Sequence, residues 1–184
     1  MGENLTDEKL VSRARQGDSK AFKELVKRYE NLVAGTVIGM LGNCPEADDV
    51  GQETFIRLYR SLKNFRGESK LGTYLTRIAM NLSLNELRRR KRRTGLFSRK
   101  SVEELHDLSD ERAHAGIDED QELVQRAIGK LEAKFRSVVV LRLIDGYSTE
   151  ETARILKIPI GTVLSRLSRA QKKLKALLTP YYGA

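Results

Sequence analysis

The sequence predicts an all-α protein, two small helical domains joined by a flexible linker. Three observations predict it. Apolar residues recur at helical spacing wherever the chain has any period. Charge falls in blocks: residues 1–100 hold 21 basic and 12 acidic side chains, 101–122 hold 1 and 9, and 123–184 hold 12 and 4. The stretch 146–174 reads as two helices joined by a tight turn, the pattern of a helix-turn-helix. A chain of 184 residues suits one or two such domains. The bounds expected are 1–94 for the first domain, 95–117 for the linker and 118–184 for the second domain.

The elements follow in order. Thr6 caps a short helix carrying Leu10, Val11 and Ala14, which Gly17 and Asp18 end. A longer helix starts near Ser19 and places Ala21, Phe22, Leu25, Val26, Tyr29, Leu32 and Val33 at helical spacing. Gly35 and Gly39, spaced G-x-x-x-G in its apolar end, allow close helix packing, and Asn43 to Pro45 break it. The third helix, about 46–62, turns Ala47, Gly51, Phe55, Leu58 and Leu62 inward and Asp49, Gln52, Glu53 and Ile56 outward. Residues 64–69 form a loop. A long helix, about 70–92, carries a core stripe of Leu71, Leu75, Ile78 and Leu82. Its polar stripe is Arg77, Asn81, Asn85, Arg88 and Arg92, and six consecutive cations occupy 88–93.

No apolar period survives from 94 to 116, which is rich in Ser, Asp and Glu and reads as linker. Helical spacing returns with Leu123, Val124, Ala127, Ile128 and Leu131, then with Phe135, Val138, Val139 and Leu143. Ser148 and Glu151 form an S-x-x-E capping box ahead of Ala153, Ile155 and Leu156. Pro159 and Gly161 punctuate, and the last helix sets Val163, Leu167, Ala170 and Leu174 on one face. Thr162, Ser165, Arg166, Arg169 and Lys173 fall on the other face, and no acid follows Ile160. An apolar back with hydroxyls and cations in front is what a helix in the DNA major groove requires. Pro180 and Gly183 end the fold.

Composition points the same way. The net charge of +9 and a pI near 9.7 call for a polyanionic partner. A polyphosphate backbone is the common reason to hold six cations together, and basic and amide groups beside the Tyr74 ring suit single-stranded DNA. Cys44 is the one cysteine, so an internal disulfide is excluded and a reducing cytosol fits. No signal peptide is read, and the apolar run 32–41 is too short to span a bilayer. His106 and His114 fall in the linker and offer too few ligands for a metal. Phosphate-binding glycine loops, paired C-x-x-C and nucleophile–His pairs are missing, so neither a cofactor nor catalysis is expected.

Four motifs in order resemble a known family. They are Asp48-Asp49-Val50-Gly51-Gln52-Glu53-Thr54-Phe55; Phe65-Arg66-Gly67; Tyr74-Leu75-x-x-Ile78-Ala79-x-Asn81; and Gly161-Thr162-Val163-x-Ser165-Arg166-Leu167-x-Arg169-Ala170. Their order and separation are those of the bacterial extracytoplasmic-function sigma factors. The resemblance implies sigma domain 2, a linker and sigma domain 4. It implies that Asp49, Gln52 and Glu53 bind core RNA polymerase. It implies that Phe65, Arg66, Gly67, Ser69 and Lys70 capture a flipped base of the −10 element, with Tyr74, Arg77, Asn81, Asn85 and Arg88 on the adjacent melting surface. It implies that Thr162, Ser165, Arg166, Arg169 and Lys173 contact the −35 element, and that an anti-sigma factor restrains the protein. Tyr74 stands where the family usually has Trp, and the chain has no Trp. Two other readings are a stand-alone helix-turn-helix regulator that binds an operator as a dimer, and a nucleic-acid enzyme.

Overall fold

The computed structural model describes residues 5–97 and 119–182, with the backbone alone for 95–97. Among the described residues all regular structure is helical. The helices are α1 (Asp7–Arg15), α2 (Ser19–Leu41), α3 (Pro45–Ser61), α4 (Leu71–Phe97), α5 (Glu119–Gly129), α6 (Ala133–Val139), α7 (Thr149–Leu156) and α8 (Ile160–Tyr182). A 3₁₀ turn (Leu62–Asn64) follows α3, and a π-turn (Val140–Ile144) continues α6.

Helix α2 is the axis of the first domain, with α1, α3 and α4 packed around it. Asp18 starts it by accepting from the backbone of Lys20 and Ala21. The Ala21 bond and the Arg13 guanidinium hold the Asp18 carboxyl below its usual range. Leu25, Val33, Val37 and Met40 of α2 meet Leu58 of α3 and Leu75 of α4 with almost no exposure. Each such buried aliphatic contributes about 1.5–3 kcal/mol of transfer free energy. Arg28 reaches back to Asp7 at 2.7 Å and to the Leu5 carbonyl at 2.9 Å, and Tyr29 bonds the same aspartate, which fixes α1 on α2.

Two expected faces are corrected. The inner face of α3 is Ala47, Val50, Thr54 and Leu58, whereas Gly51 and Phe55 are only half-buried. Thr54 enters because its hydroxyl bonds the Val50 carbonyl at 2.8 Å, so no polar group is left unsatisfied. Leu143 is 54% exposed, while Val140 and Leu141 are buried. The π-turn causes this: its wider turn rotates the following residues, and an α-helical register misplaces Leu143. Helix α4 runs to Phe97, beyond the expected end near 92, and α8 runs through Pro180 to Tyr182. His106, His114 and the rest of 98–118 lie outside the described residues.

In the second part, Ile128, Leu131, Phe135, Val139 and Ala170 form one cluster, flanked by Leu174. Val138, Ala153 and Val163 form another, with Leu156, Ile158 and Leu167 beside it. Val140, Leu141 and Ile155 belong instead to the core built on α2.

Candidate nucleic-acid and polymerase interface

Three surfaces carry the residues singled out from the sequence. The first is the 65–70 loop with the start of α4. Arg15 pins the loop, donating from Nε to the Leu62 carbonyl at 2.9 Å and from Nη2 to the Phe65 carbonyl. Gly67 turns the chain at φ +73°, the left-handed region that favours glycine. Arg66 and Lys70 are exposed and Ser69 is half-buried. The Phe65 ring packs on Tyr74 with centroids 5.1 Å apart, and the Arg77 guanidinium lies 5.2 Å from the Tyr74 centroid. Phe65, Tyr74 and Arg77 therefore form one stack at the base of the loop. Asn81, Asn85 and Arg88 are exposed along the same helix, with Arg88 donating to Asn85 at 2.9 Å.

The run of cations on α4 divides into two sets. Glu86, with a side chain 9% exposed, lies 2.8 Å from Arg89, 3.5 Å from Arg90 and 3.6 Å from Arg93. Arg90 also meets Glu46 at 3.1 Å and Cys44 Sγ at 3.0 Å. Arg88, Lys91 and Arg92 remain exposed toward solvent. Sequence reading missed this division. Its signal was available: Glu86 is the sole acid of α4, with arginines at i+3, i+4 and i+7.

The second surface is the outer face of α3. Asp49 and Gln52 are exposed, and Glu53 is half-buried in a pair with Arg57 at 2.9 Å. Ile56 is 44% and Tyr59 55% exposed beside them. The face is acidic and apolar together, which suits a protein better than a phosphate backbone. Tyr59, which packs edge-on against Phe22 at 5.0 Å, was not picked out from the sequence.

The third surface is the helix-turn-helix of α7 and α8. Both halves of the capping box are formed: Ser148 Oγ accepts from the Glu151 backbone at 3.1 Å, and Glu151 accepts from the Ser148 backbone at 2.8 Å. Lys157 ends α7 at φ 54°, a left-handed cap taken by a residue other than glycine. Val163 is wholly buried against Ala153 and Val138, which sets the α7–α8 angle. That leaves Ser165 and Arg169 exposed and Thr162 and Arg166 half-exposed. Lys173 differs from the rest: its Nζ lies 3.0 Å from Glu132 and 4.9 Å from the centroid of the Phe135 ring.

Residues 25–93 match Sigma-70 region 2 and residues 121–174 match Sigma-70 region 4. The chain is 37% identical to the RNA polymerase sigma-H factor of Pseudomonas aeruginosa, across 95% of this chain and 94% of that one. It is 38% identical to the ECF RNA polymerase sigma-E factor of Escherichia coli, across 98% of each. The chain belongs to the extracytoplasmic-function sigma factors of the sigma-70 family.

As a sigma factor it is a transcription initiation factor that works with core RNA polymerase on promoter DNA, and the stand-alone regulator loses its support. Among solved structures, CnrH in complex with the cytosolic domain of CnrY has a TM-score of 0.69 at 28% identity, covering 95% of this sigma factor and 98% of CnrH. The Bartonella quintana sigma factor RpoE, solved with the anti-sigma factor NepR, shares the fold with a TM-score of 0.68 at 24% identity, over 87% and 98% of the two chains. Among the described residues no helix is long and apolar enough to cross a membrane, and no group of three or more His, Cys, Asp or Glu could hold a metal.

Proposed function

We propose that this sigma factor divides its work among the three surfaces. Asp49, Gln52 and Glu53, with Ile56 and Tyr59, bind core polymerase. Phe65, Arg66, Gly67, Ser69 and Lys70 hold an extruded −10 base, and Tyr74, Arg77, Asn81, Asn85 and Arg88 line the melted strand. Thr162, Ser165, Arg166 and Arg169 read the −35 element, and Lys173 holds the middle of that helix on Glu132. The domains carrying these tasks are 1–94 and 118–184, with 95–117 as linker. The protein acts in the cytoplasm, has no catalytic group or cofactor of its own, and is held in check by an anti-sigma factor. CnrH, like this chain in fold and sequence, is bound by the cytosolic domain of CnrY, which supports a protein partner for the last point.

One observation carries the assignment of surfaces. The acidic and apolar residues face outward from α3, while the cations with no acidic partner among the described residues face outward from α4 and α8, so protein and DNA meet different sides. Transcription reconstituted from core polymerase and an extracytoplasmic-function promoter tests it. Asp49→Lys with Glu53→Lys is expected to weaken pull-down of core while leaving both domains folded, with only a small drop in melting temperature from the lost Glu53–Arg57 pair. Unchanged pull-down would move the polymerase contact off α3.

A further inference from the structure

Phe65 opens the 65–70 loop, and it is held by its amide, its carbonyl and its ring. Its N–H donates to the Leu62 carbonyl at 3.2 Å. Its own carbonyl accepts from Arg15 Nη2. Its ring packs on Tyr74 with centroids 5.1 Å apart. Arg15 Nε also donates to the Leu62 carbonyl, at 2.9 Å, so that oxygen takes two donors on its two lone pairs. One guanidinium thus spans the 3₁₀ turn Leu62–Asn64 from its first carbonyl to the residue that leaves it. The rest of the loop differs. Arg66, Gly67 and Glu68 are exposed, and the Arg66–Glu68 pair is long, at 3.9 Å, between side chains mostly in water. The loop has a fixed root and an open tip.

Arg15 can fix the root because α1 is anchored at both ends. Arg28 and Tyr29 hold Asp7 at its start. At its end the Asp18 N–H donates to the Arg13 carbonyl at 3.1 Å, and Arg13 pairs with the Asp18 carboxylate at 2.7 Å. Tyr29 serves the other side of the loop as well. A Cβ on Gly72 would stand 3.1 Å from Tyr29 Cε1 and 3.3 Å from Leu32 Cδ2, so the first turn of α4 sits directly on α2. The loop therefore hangs from α1 at its root and from α2 at its far end, and Tyr29 touches both supports. Helix α1 (Asp7–Arg15) lies wholly before residue 25, where the match to Sigma-70 region 2 begins.

We infer that Arg15 is a positioning residue for −10 base capture, and that α1 is part of the −10 reader. This rests on the reading of residues 65–70 as the capture loop. Extruding a base from the duplex is costly, and a pocket that has to be ordered in the same step forfeits part of its gain. Holding Phe65 beforehand removes that second cost. The planar fork of Arg15 does this, because its Nε and Nη2 meet two carbonyls at once, a fit that a lysine ammonium does not reproduce. A role through charge alone, as a phosphate contact of an exposed cation, would be kept by lysine.

Holoenzyme assembled from the full chain and core polymerase tests it. The probe is a fluorescent single-stranded oligonucleotide carrying the −10 non-template sequence, intact or abasic at one −10 position at a time. The ratio of intact to abasic affinity at the most sensitive position separates base capture from backbone charge. The parent ratio is expected to be about tenfold. Arg15→Ala and Arg15→Lys are both expected to bring it to about twofold, with core pull-down and binding of the abasic strand little changed. Lys9→Ala removes an exposed cation from the same helix and is expected to keep the parent ratio. A general loss of structure would weaken both strands alike and leave the ratio standing. If circular dichroism shows Arg15→Ala unfolded at the assay temperature, Arg15→Lys carries the test. A ratio retained by Arg15→Lys would make Arg15 a phosphate contact and overturn the proposal. A ratio retained by folded Arg15→Ala, or lost equally in Lys9→Ala, would overturn it too. A parent that binds both strands alike would strike the reading of the loop itself, and the proposal with it.

Discussion

Lys173 Nζ and a Glu132 carboxylate oxygen lie 3.0 Å apart, which ties the middle of α8 to the start of α6. Lys134 and Lys173 together hold the Glu132 carboxyl below its usual range. By contrast, Arg166 and Arg169 make no ion pair among the described residues. Arg166→Ala is expected to cost about 1–3 kcal/mol on a promoter with the correct −35 element and much less on a scrambled one, as for a bidentate base contact. Lys173→Ala is expected to weaken both promoters alike. Glu132→Gln frees the ammonium and should steepen the salt dependence of DNA binding by about one charge. Holoenzyme titrations on matched and scrambled −35 duplexes at several salt concentrations separate the three.

Glu86 gathers Arg89, Arg90 and Arg93, and its Oε1 has no hydrogen bond beyond these ion pairs. Glu86→Gln should leave three cations crowded with less compensation. Arg89 and Arg93 are more than half exposed and partly screened by water, so the expected loss is modest, about 2 kcal/mol. Thermal unfolding of the full chain reads it. DNA binding at low salt should strengthen at the same time, because cations released from Glu86 become available to phosphates.

The sequence was legible where local chemistry decides. Thr6 and Ser148 cap helices α1 and α7 as expected, and the apolar back of α8 is set by helical spacing alone, whereas Asp18, read only as ending α1, is the cap of α2. It was less legible where a contact is remote or a helix departs from 3.6 residues per turn. Leu143 went outward because of a π-turn that no local residue announces. Lys173 lies on the same face as Arg166, and only the placement of Glu132 on another helix separates their roles. Gly35 and Gly39 are equivalent in sequence, and Val140, a hundred residues away, makes them different. The polar stripe from Arg77 to Arg92 was readable, but not that Phe65 and Arg77 pack on the Tyr74 ring.

Asp145 gives the interdomain contact a pH dependence. Burial raises its pKa from 3.8 to about 6, and the Thr36 hydrogen bond offsets this only in part. Thr36 faces it from α2 and Tyr147 from its own turn, and among the described residues no cation pairs with it. The Thr36 hydroxyl also lies 3.0 Å from the Leu32 carbonyl, and its single proton serves one acceptor at a time. A protonated Asp145 can donate to Thr36, which then donates to Leu32, and every group is satisfied. Stability from this site is therefore full below pH 3.8 and falls as pH rises to about 6. Allowing for partial solvent contact, the loss is roughly 1–2 kcal/mol. Asp145→Asn keeps a donor to Thr36 at every pH. It should raise the melting temperature at pH 7.5 and flatten its pH dependence between 4 and 6.5. An unchanged pH profile would show that Asp145 is hydrated in solution.

Tyr74 stands between two roles, and its stack with Phe65 and Arg77 sets the terms. The ring is half-buried, so Tyr74→Ala removes packing on Phe65 and should lower stability by about 1–3 kcal/mol. For a base to use the ring, the Arg77 guanidinium has to give way or sandwich the base from the other side. Stacking on an unpaired base is worth about 1–3 kcal/mol, against a few kcal/mol to extrude one from the duplex. Tyr74→Ala should therefore impair −10 opening well beyond its effect on first binding, and a template already opened at −10 should restore transcription. Tyr74→Trp should match or exceed the parent, because the larger face stacks on both the base and Arg77. Permanganate footprinting beside thermal unfolding decides between the roles. If the pre-opened template fails to rescue Tyr74→Ala, or if Tyr74→Trp unfolds as readily as Tyr74→Ala, the ring supports the loop and does not hold a base.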